Sequence, residues 1–318
     1  MKSQAAAIKE ARANALHFLL RSRDEGEPWF PYSPKGDCSL EATSWSLIAL
    51  RHDDKVGPAG LDYLASSQNK DGGWSTKPKA GKSDWTTGPV LLAMRLLDSI
   101  YSSSQKTGGK EALTRGMEHL LDSRVEFFGP TGRLLLLLSK GPEGLAYGRG
   151  WPWDPKCFHW LEPTAYCLLA LKLPQAPEKD LHKQVVHFAD KFITEHACQG
   201  GGWNHGNNTS LGAFLPPYRL TTAEALLALQ NLPADEKVQQ ALSYLKSQAD
   251  QDSSSLSLAF SILALNSYDQ SSDKELAFLL GRQAQDGSFG PTTMSTALSA
   301  LALEAADGTN ILKARGAH

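Results

Sequence analysis

Two glutamates occupy equivalent places in the sequence, each two residues before a threonine at the start of an apolar segment. Glu162 lies in FHWLEPTAYCLLALK (158–172) and Glu41 lies in SLEATSW (39–45). A carboxylic acid that is buried and kept neutral can donate a proton, and a second carboxyl group nearby raises its pKa further. Glu162 and Glu41 are therefore candidates for acid chemistry.

Aromatic residues accompany both glutamates. Trp45 and Tyr166 each lie two residues after the threonine. The other aromatics ahead of apolar segments are Trp85, Trp160 and Tyr218. A cation formed by protonation needs aromatic faces around it, so these five residues are predicted to bind the substrate. A structural interpretation stays open, because a glutamate in a first helical turn also complements the helix dipole.

The segments that hold these residues belong to an internal repeat. AGLDYLASSQNKDGGW (59–74) and KELAFLLGRQAQDGSF (274–289) share one order: aromatic, aliphatic, three residues, Gln, three residues, Gly, one residue, aromatic. Fainter copies bring the total to six, and a second apolar segment follows each turn. In five of the six copies a threonine lies seven residues before the end of that segment: Thr43, Thr87, Thr164, Thr222 and Thr296.

Each repeat is predicted to be a helix, a Gly/Trp turn and a second helix, because its apolar segments are too long for strands and are rich in Leu and Ala at helical spacing. Such a hairpin cannot bury both of its faces alone, so neighbours must stack. We expect one domain over 1–318 whose six hairpins close into a ring; an open solenoid or a superhelix is the alternative. The repeats are placed near 8–52, 58–100, 112–173, 181–232, 236–268 and 273–306.

The turns SQNKDGGW and RQAQDGSF resemble the QW motif of the terpenoid cyclases, such as the squalene-hopene and oxidosqualene cyclases, and of the related protein prenyltransferase β subunits. The resemblance implies an all-α fold, the α/α toroid or α6–α6 barrel, in which the second helix of each repeat is the inner one. It also implies a scaffold role for the motif, and we expect Gln68 to tie its turn to the backbone of a neighbouring repeat.

The class II terpene cyclases carry an acid motif, D-x-D-D-T-A, ahead of an inner helix. With Thr164 and Ala165 placed on T-A, Glu162 takes the position of the middle aspartate, whereas Trp160 and Pro163 replace the other two. The resemblance therefore implies cyclisation of an isoprenoid in a central cavity, started by protonation of an alkene or an epoxide. It implies that Glu162 is the proton donor, and we predict Glu41 as its electrostatic partner. The alternative of a different class is a non-catalytic toroid that binds a lipid or a peptide.

A prenyltransferase-like subunit is a further alternative. In that family a D-x-C pair and a later histidine hold zinc. Cys157 is close to the family's cysteine, but Asp154 lies one residue too far upstream and Thr293 stands where the histidine is expected. Because His159 and His205 are only makeshift second ligands, we expect no metal and no other cofactor.

Composition narrows the range of partners and settings. The formal net charge of −2, from 32 basic and 34 acidic residues, provides no electrostatic footprint for nucleic acid. Four scattered cysteines without a CxxC pair argue against a disulfide framework and favour a reduced, cytoplasmic setting. The N-terminal MKSQAAAIKEARANALHFLL lacks the continuous apolar core of a signal peptide.

Two insertions, 125–150 and 204–219, precede the predicted inner helices of repeats three and four. Long loops often carry functional residues, so we expect both to roof the cavity. The first contains the run Leu134–Leu138, which predicts either an additional buried helix or strand, or a peripheral contact that dips into a membrane surface to collect an isoprenoid.

Overall fold

The computed structural model describes residues 4–101, 107–123, 130–141, 149–174, 179–248 and 253–314. The helices of these residues are α1 (Gln4–Arg21), α2 (Leu40–Ala49), α3 (Val56–Ser66), α4 (Thr87–Tyr101), α5 (Thr107–Asp122), α6 (Pro130–Lys140), α7 (Leu161–Lys172), α8 (Asp180–Glu195), α9 (Arg219–Ala228), α10 (Glu236–Ser247), α11 (Ser255–Ser267), α12 (Asp273–Leu280) and α13 (Thr293–Ala306). Strands β1 (Trp151–Pro152) and β2 (His159–Trp160) pair antiparallel, as do β3 (Thr209–Ser210) and β4 (Ala213–Phe214).

The second helix of each repeat belongs to an inner ring. Helices α2, α4, α7, α9, α11 and α13 contact one another in that order, and α13 returns to contact α2. The first helix of each repeat packs against the inner helices. These outer helices are α1, α3, α5, α8, α10 and α12. The ring is therefore closed, which confirms the prediction of an all-α toroid of six helical hairpins and rules out an open solenoid.

The two kinds of helix differ in where their apolar residues lie. In α7 every residue from Leu161 to Leu171 is buried, whereas α10 buries only Val238, Ala241, Leu242 and Leu245. A helix that is apolar all round must be enclosed by others, while residues at a spacing of three and four form one apolar stripe. The all-round burial of α7 is typical of an inner helix, and the single apolar stripe of α10 is typical of an outer one.

The five repeated threonines bind the turn of each of their repeats to the inner helix. In five repeats the threonine hydroxyl accepts a hydrogen bond of 2.9 to 3.0 Å from the backbone N–H of the aromatic residue in the preceding turn. The pairs are Thr43 with Phe30, Thr87 with Trp74, Thr164 with Trp151, Thr222 with Trp203 and Thr296 with Phe289. The threonines therefore have a structural role that explains their regular spacing.

The glutamines of the turns connect neighbouring repeats. Gln68 Nε2 donates to the carbonyl of Ala112 in α5 at 2.8 Å, which confirms the role predicted for Gln68. Gln283 Nε2 donates to the carbonyl of Ala11 in α1, also at 2.8 Å. Gly287 follows with a φ of 90°, and a Cβ there would lie 2.5 Å from the carbonyl oxygen of Asn14. The same contact that joins repeats two and three thus joins the last repeat to the first.

The leucine-rich insertion forms α6, and its described leucines face solvent. Leu134, Leu135, Leu137 and Leu138 are 37% to 74% exposed. The prediction of an additional buried helix or strand is therefore wrong for these four residues, because no element of the described ranges covers them. The rest of the insertion, 124–129 and 142–148, lies outside the described residues, as does any roof that it forms. Across the described ranges, no helix is long and apolar enough to cross a bilayer.

Candidate functional site

One position of the inner helices lies at the centre of the ring. It comes two residues after the repeated threonine, or after Leu258, which replaces the threonine in α11. The residues at this position are Trp45 in α2, Tyr166 in α7, Glu224 in α9 and Phe260 in α11. Ring centroids lie 6.1 Å apart for Trp45 and Tyr166, 5.9 Å for Trp45 and Phe260, and 6.5 Å for Tyr166 and Phe260. Since α2, α7 and α11 are not neighbours in the ring, these side chains meet across its centre. We call the four residues the central cluster.

Glu224 is the charged member of the central cluster, and only 2% of it is exposed. Its Oε1 accepts a hydrogen bond of 2.5 Å from the Tyr166 hydroxyl. Its Oε2 is buried and has no hydrogen-bond partner among the described residues. Burial, followed by the nearby charge of Glu162, raises the pKa of Glu224 well above its ordinary value. The environment thus favours the protonated, neutral carboxyl.

Glu162 lies in the first turn of α7 and is 6% exposed. Its Oε1 is paired with His205 Nδ1 and accepts a hydrogen bond from the Thr221 hydroxyl at 3.2 Å. Its Oε2 is enclosed and lacks a hydrogen-bond partner within the described part of the chain. The imidazole side chain of His205 is 55% exposed. One oxygen of Glu162 is therefore connected to solvent through a histidine, and the other faces the interior.

His205 belongs to the 204–219 insertion and lies at the start of α7. Its carbonyl accepts a hydrogen bond from the N–H of Leu161 at 3.3 Å. Its ring lies 5.6 Å from that of Trp160 and 5.1 Å from that of Tyr218, the N-cap residues of α7 and α9. Sequence reasoning considered His205 only as a makeshift zinc ligand and missed it as the partner of Glu162.

Glu41 lies in the first turn of α2, behind the N-cap Ser39, whose hydroxyl accepts from the N–H of Ala42 at 3.3 Å. Burial and the charge of Asp84 raise the pKa of Glu41 to about 7. Glu41 and Glu162 both raise the pKa of Glu224. Glu41 and Glu162 thus each interact electrostatically with Glu224, a residue that the sequence analysis did not single out.

The predicted aromatics divide into two groups. Trp45 and Tyr166 belong to the central cluster, and the ring of Trp85 lies 6.0 Å from that of Tyr166 and contacts Trp153. Trp160 and Tyr218 instead flank His205, and Tyr218 is 46% exposed. The first group lines the interior, and the second lies at its entrance.

Two members of the central cluster were not predicted. Glu224 and Phe260 occupy the same position in their repeats as Trp45 and Tyr166. That position was the signal that could have identified them.

A pocket of 360 Å³ lies between α5, the segment from Asp71 to Thr87 and the β1 region. Trp85 and Cys167 belong to its lining, whereas none of the four residues of the central cluster does. The ring of Trp85 lies 6.0 Å from that of Tyr166 and so stands between the pocket and the central cluster. This volume is within the range of small-molecule sites.

The residues considered for zinc do not form a metal centre. Cys157 is exposed, and the Nδ1 of His205 faces Glu162. In the ranges that the structure describes, no group of three His, Cys, Asp or Glu residues could hold a metal ion. The geometry gives no support to a prenyltransferase-type zinc site.

No protein-family model and no curated protein matches this chain. Among solved structures, a protein from Actinoplanes is similar, with 18% identity, a TM-score of 0.61 and coverage of 94% of this chain and 99% of that one. A variant of the type II terpene cyclase MstE from Scytonema, in complex with its product merosterolic acid A, has 16% identity and a TM-score of 0.60, covering 95% and 98%.

An inactive variant of the α-1,6-mannanase GH76A of Salegentibacter, in complex with α-1,6-mannotetrose, has 13% identity and a TM-score of 0.60, covering 94% and 98%. At such identities the likeness concerns the fold. The chain has the α/α toroid fold, which a type II terpene cyclase and a mannanase also have.

Proposed function

We propose that this protein handles isoprenoids as a class II terpene cyclase does, with an enclosed carboxylic acid that starts cyclisation by protonation. The observation that carries the proposal is the environment of Glu162, whose Oε1 is anchored by His205 and Thr221 while Oε2 is enclosed without a partner in the described residues. Oε2 is therefore the atom of Glu162 that a substrate would contact without displacing a described protein group.

The reaction would begin with transfer of the Glu162 proton to an alkene carbon or an epoxide oxygen. The positive charge that forms on the adjacent carbon would be stabilised by the faces of Trp45, Tyr166 and Phe260. Further double bonds of the same chain then attack the cation, and loss of a proton ends the sequence without a change in mass. His205, half exposed to solvent, would return a proton to Glu162.

The surroundings of the carboxyl groups favour an apolar substrate over a glycan. Hydrolysis inside a polysaccharide needs two carboxyl groups that flank a glycosidic bond in an open groove. Glu162 and Glu224 are both buried, and Glu224 is hydrogen-bonded to Tyr166, whose ring lies 6.5 Å from that of Phe260. In the MstE structures the bound molecules are a geranylgeranyl dihydroxybenzoate substrate and a merosterolic acid product. We therefore favour isoprenoid chemistry over glycoside hydrolysis.

Peripheral membrane contact is a further part of the proposal. The exposed leucines of α6 provide an apolar surface of the kind that inserts at a bilayer interface. An isoprenoid dissolved in a membrane would reach the protein there.

The test is incubation of the parent protein and of Glu162→Gln with linear isoprenoids, followed by mass spectrometry. The parent should yield cyclic products of unchanged mass, and the variant should lose about a hundredfold or more in rate. Glu118→Gln, at an exposed position of α5, is the matched control and should retain activity. If the parent binds the isoprenoid yet forms no cyclic product, the cyclase proposal fails and the non-catalytic lipid-binding toroid replaces it.

A further inference from the structure

The 360 Å³ pocket beside α5 is separate from the carboxyl groups of the proposed reaction, because neither Glu162 nor Glu224 lies in its lining. We call it the α5 pocket. Its apolar lining includes two tryptophans, Trp85 and Trp151, and Leu120. The pocket therefore provides a second site with aromatic walls, of a size that small organic ligands use.

The apolar walls of the α5 pocket are held in place by the protein. Trp151 is 3% exposed, and its indole N–H donates to the carbonyl of Leu120 at 3.0 Å. The ring of Trp85 packs edge-on against Trp153, with centroids 4.7 Å apart. Cys167 adds a buried thiol to the lining, 1% exposed and without a hydrogen-bond partner among the described residues. A ligand would thus meet surfaces that are already formed.

The last turn of α5 brings two hydrogen-bond acceptors to the pocket. His119 Nδ1 lies 2.9 Å from the backbone carbonyl of Asp71, and because a carbonyl only accepts, this nitrogen carries the proton. Nε2 of the neutral ring is then an acceptor. Asp122 comes three residues later and so lies on the same face of the helix. Neither Nε2 nor the Asp122 carboxylate has a partner within the described ranges, so both are available to a donor on a ligand.

The charges around the α5 pocket favour a cation. Its lining contains three aspartates, Asp71, Asp84 and Asp122, and one lysine, Lys82, which forms no ion pair within the described part of the chain. The C-terminal end of α5 adds the negative end of the helix dipole, and its last turn contains no lysine or arginine. A cation is also attracted by the faces of tryptophan rings. Charge, acceptors and aromatic walls thus agree on one kind of ligand.

We infer that the α5 pocket is a second binding site and that its ligand is an organic ammonium ion. The ammonium group donates to the Asp122 carboxylate and to His119 Nε2, and the apolar body of the ligand contacts Trp85 and Trp151. A hydrocarbon lacks the donor, and a carboxylate is repelled by the aspartates. The site does not depend on the proposed function, since no residue of the proposed proton transfer belongs to it.

The experiment compares three probes of similar shape by isothermal titration calorimetry: 2-phenylethylammonium, 2-phenylethanol and phenylacetate. The ammonium should bind the parent protein about tenfold more tightly than the alcohol, the effect of one charge-assisted hydrogen bond, and phenylacetate should bind most weakly. Asp122→Asn should reduce the preference for the ammonium to within about threefold. Glu118→Gln is the matched control, because it removes one charge from the same helix outside the pocket lining, and it should leave the preference unchanged.

A second measurement locates the bound probe in the parent protein, so it does not depend on the folding of a variant. Mass spectrometry follows the modification of each cysteine by an uncharged thiol reagent. With 2-phenylethylammonium at about ten times its Kd, modification of Cys167 should slow by about tenfold, because the pocket is then mostly occupied. The exposed Cys157 is the internal control and should react at an unchanged rate.

Three results would each overturn the inference. They are an ammonium that binds no more tightly than the alcohol, a full preference in Asp122→Asn, and a Cys167 that reacts equally fast with and without the probe. The outcome is distinct from that of the proposed function. A protein that cyclises isoprenoids but binds no amine would retain the proposed function and lose the inference, and amine binding without a cyclic product would do the reverse.

Discussion

At the scale of single residues, three glutamates have three different environments. Glu162 is linked to solvent through His205, Glu224 is held by Tyr166 inside the ring, and Glu41 lies near Asp84. Environment rather than residue type decides which form of a carboxyl group is favoured. The three positions therefore predict different functions for chemically identical side chains.

The raised pKa of Glu41 predicts a pH dependence of stability. In the folded protein this pKa is about 7, whereas an unfolded glutamate has about 4.5. The folded state thus holds the proton more tightly, and the resulting stability is complete below about pH 4.5 and is lost as the pH rises through about 7. The loss is on the order of 3 kcal/mol, since one pKa unit corresponds to about 1.4 kcal/mol.

Urea unfolding of the parent and of Glu41→Gln at pH 5 and pH 8 tests this prediction. Because the glutamine does not titrate, the variant should lose less stability than the parent between the two values. Glu118→Gln, at an exposed position, should follow the parent. Parallel pH profiles for the parent and Glu41→Gln would show that the carboxyl is not held neutral.

At the scale of elements, the hairpin depends on the bond between threonine and turn. Thr222 accepts from the backbone N–H of Trp203 at 2.9 Å and donates to its carbonyl at 3.1 Å. Thr222→Val has almost the same shape but leaves the buried N–H of Trp203 without its partner, whereas the Trp203 carbonyl keeps its hydrogen bond from the N–H of Tyr218 at 2.8 Å. We expect a loss of about 1–3 kcal/mol in the free energy of unfolding.

Chemical denaturation measures this loss. Thr114→Val is the control, because within the described ranges the Thr114 hydroxyl bonds to the Lys110 carbonyl of its own exposed helix face and to no other group. It should change stability by less than about 0.5 kcal/mol. If the two variants lose the same stability, the repeated threonines do not fasten the turns as described.

At the scale of the whole molecule, ring closure depends on the contact between the first and last inner helices. Arg51, which follows α2, is buried and pairs with Glu304 of α13 at 2.8 Å. Arg12 of α1 pairs with the other oxygen of Glu304 at 2.7 Å. One carboxylate therefore connects three helices where the chain closes on itself.

Glu304→Ala should destabilise the protein by about 3–5 kcal/mol, because it leaves the buried Arg51 charge without its carboxylate. The exposed pair of Lys9 with Asp307 also joins α1 to the end of α13, at 4.0 Å, so Lys9→Ala is the matched control. That change should have an effect of about 1 kcal/mol or less. Equal midpoints of urea unfolding for the two variants would contradict the role given to the buried pair.

The amino-acid sequence by itself determined the helices, the six hairpins and the register that turns a residue toward the centre. Helical spacing and turn residues are local properties of the sequence, and the repeated threonines mark where each hairpin occurs along the chain. Comparing the position of Trp45 and Tyr166 across all six repeats would have identified Glu224 and Phe260. Which of these residues act in a reaction stays a prediction.

Only the tertiary structure decided which side chains meet. His205 reaches Glu162 across 43 residues, and Tyr166 reaches Glu224 across 58. These contacts depend on the angle between successive hairpins in the ring and on the path of the 204–219 insertion. No short stretch of sequence indicates either of them. The exposed leucines of α6 are a related case: an apolar run predicts burial, but in the described part of the chain no neighbouring element covers them.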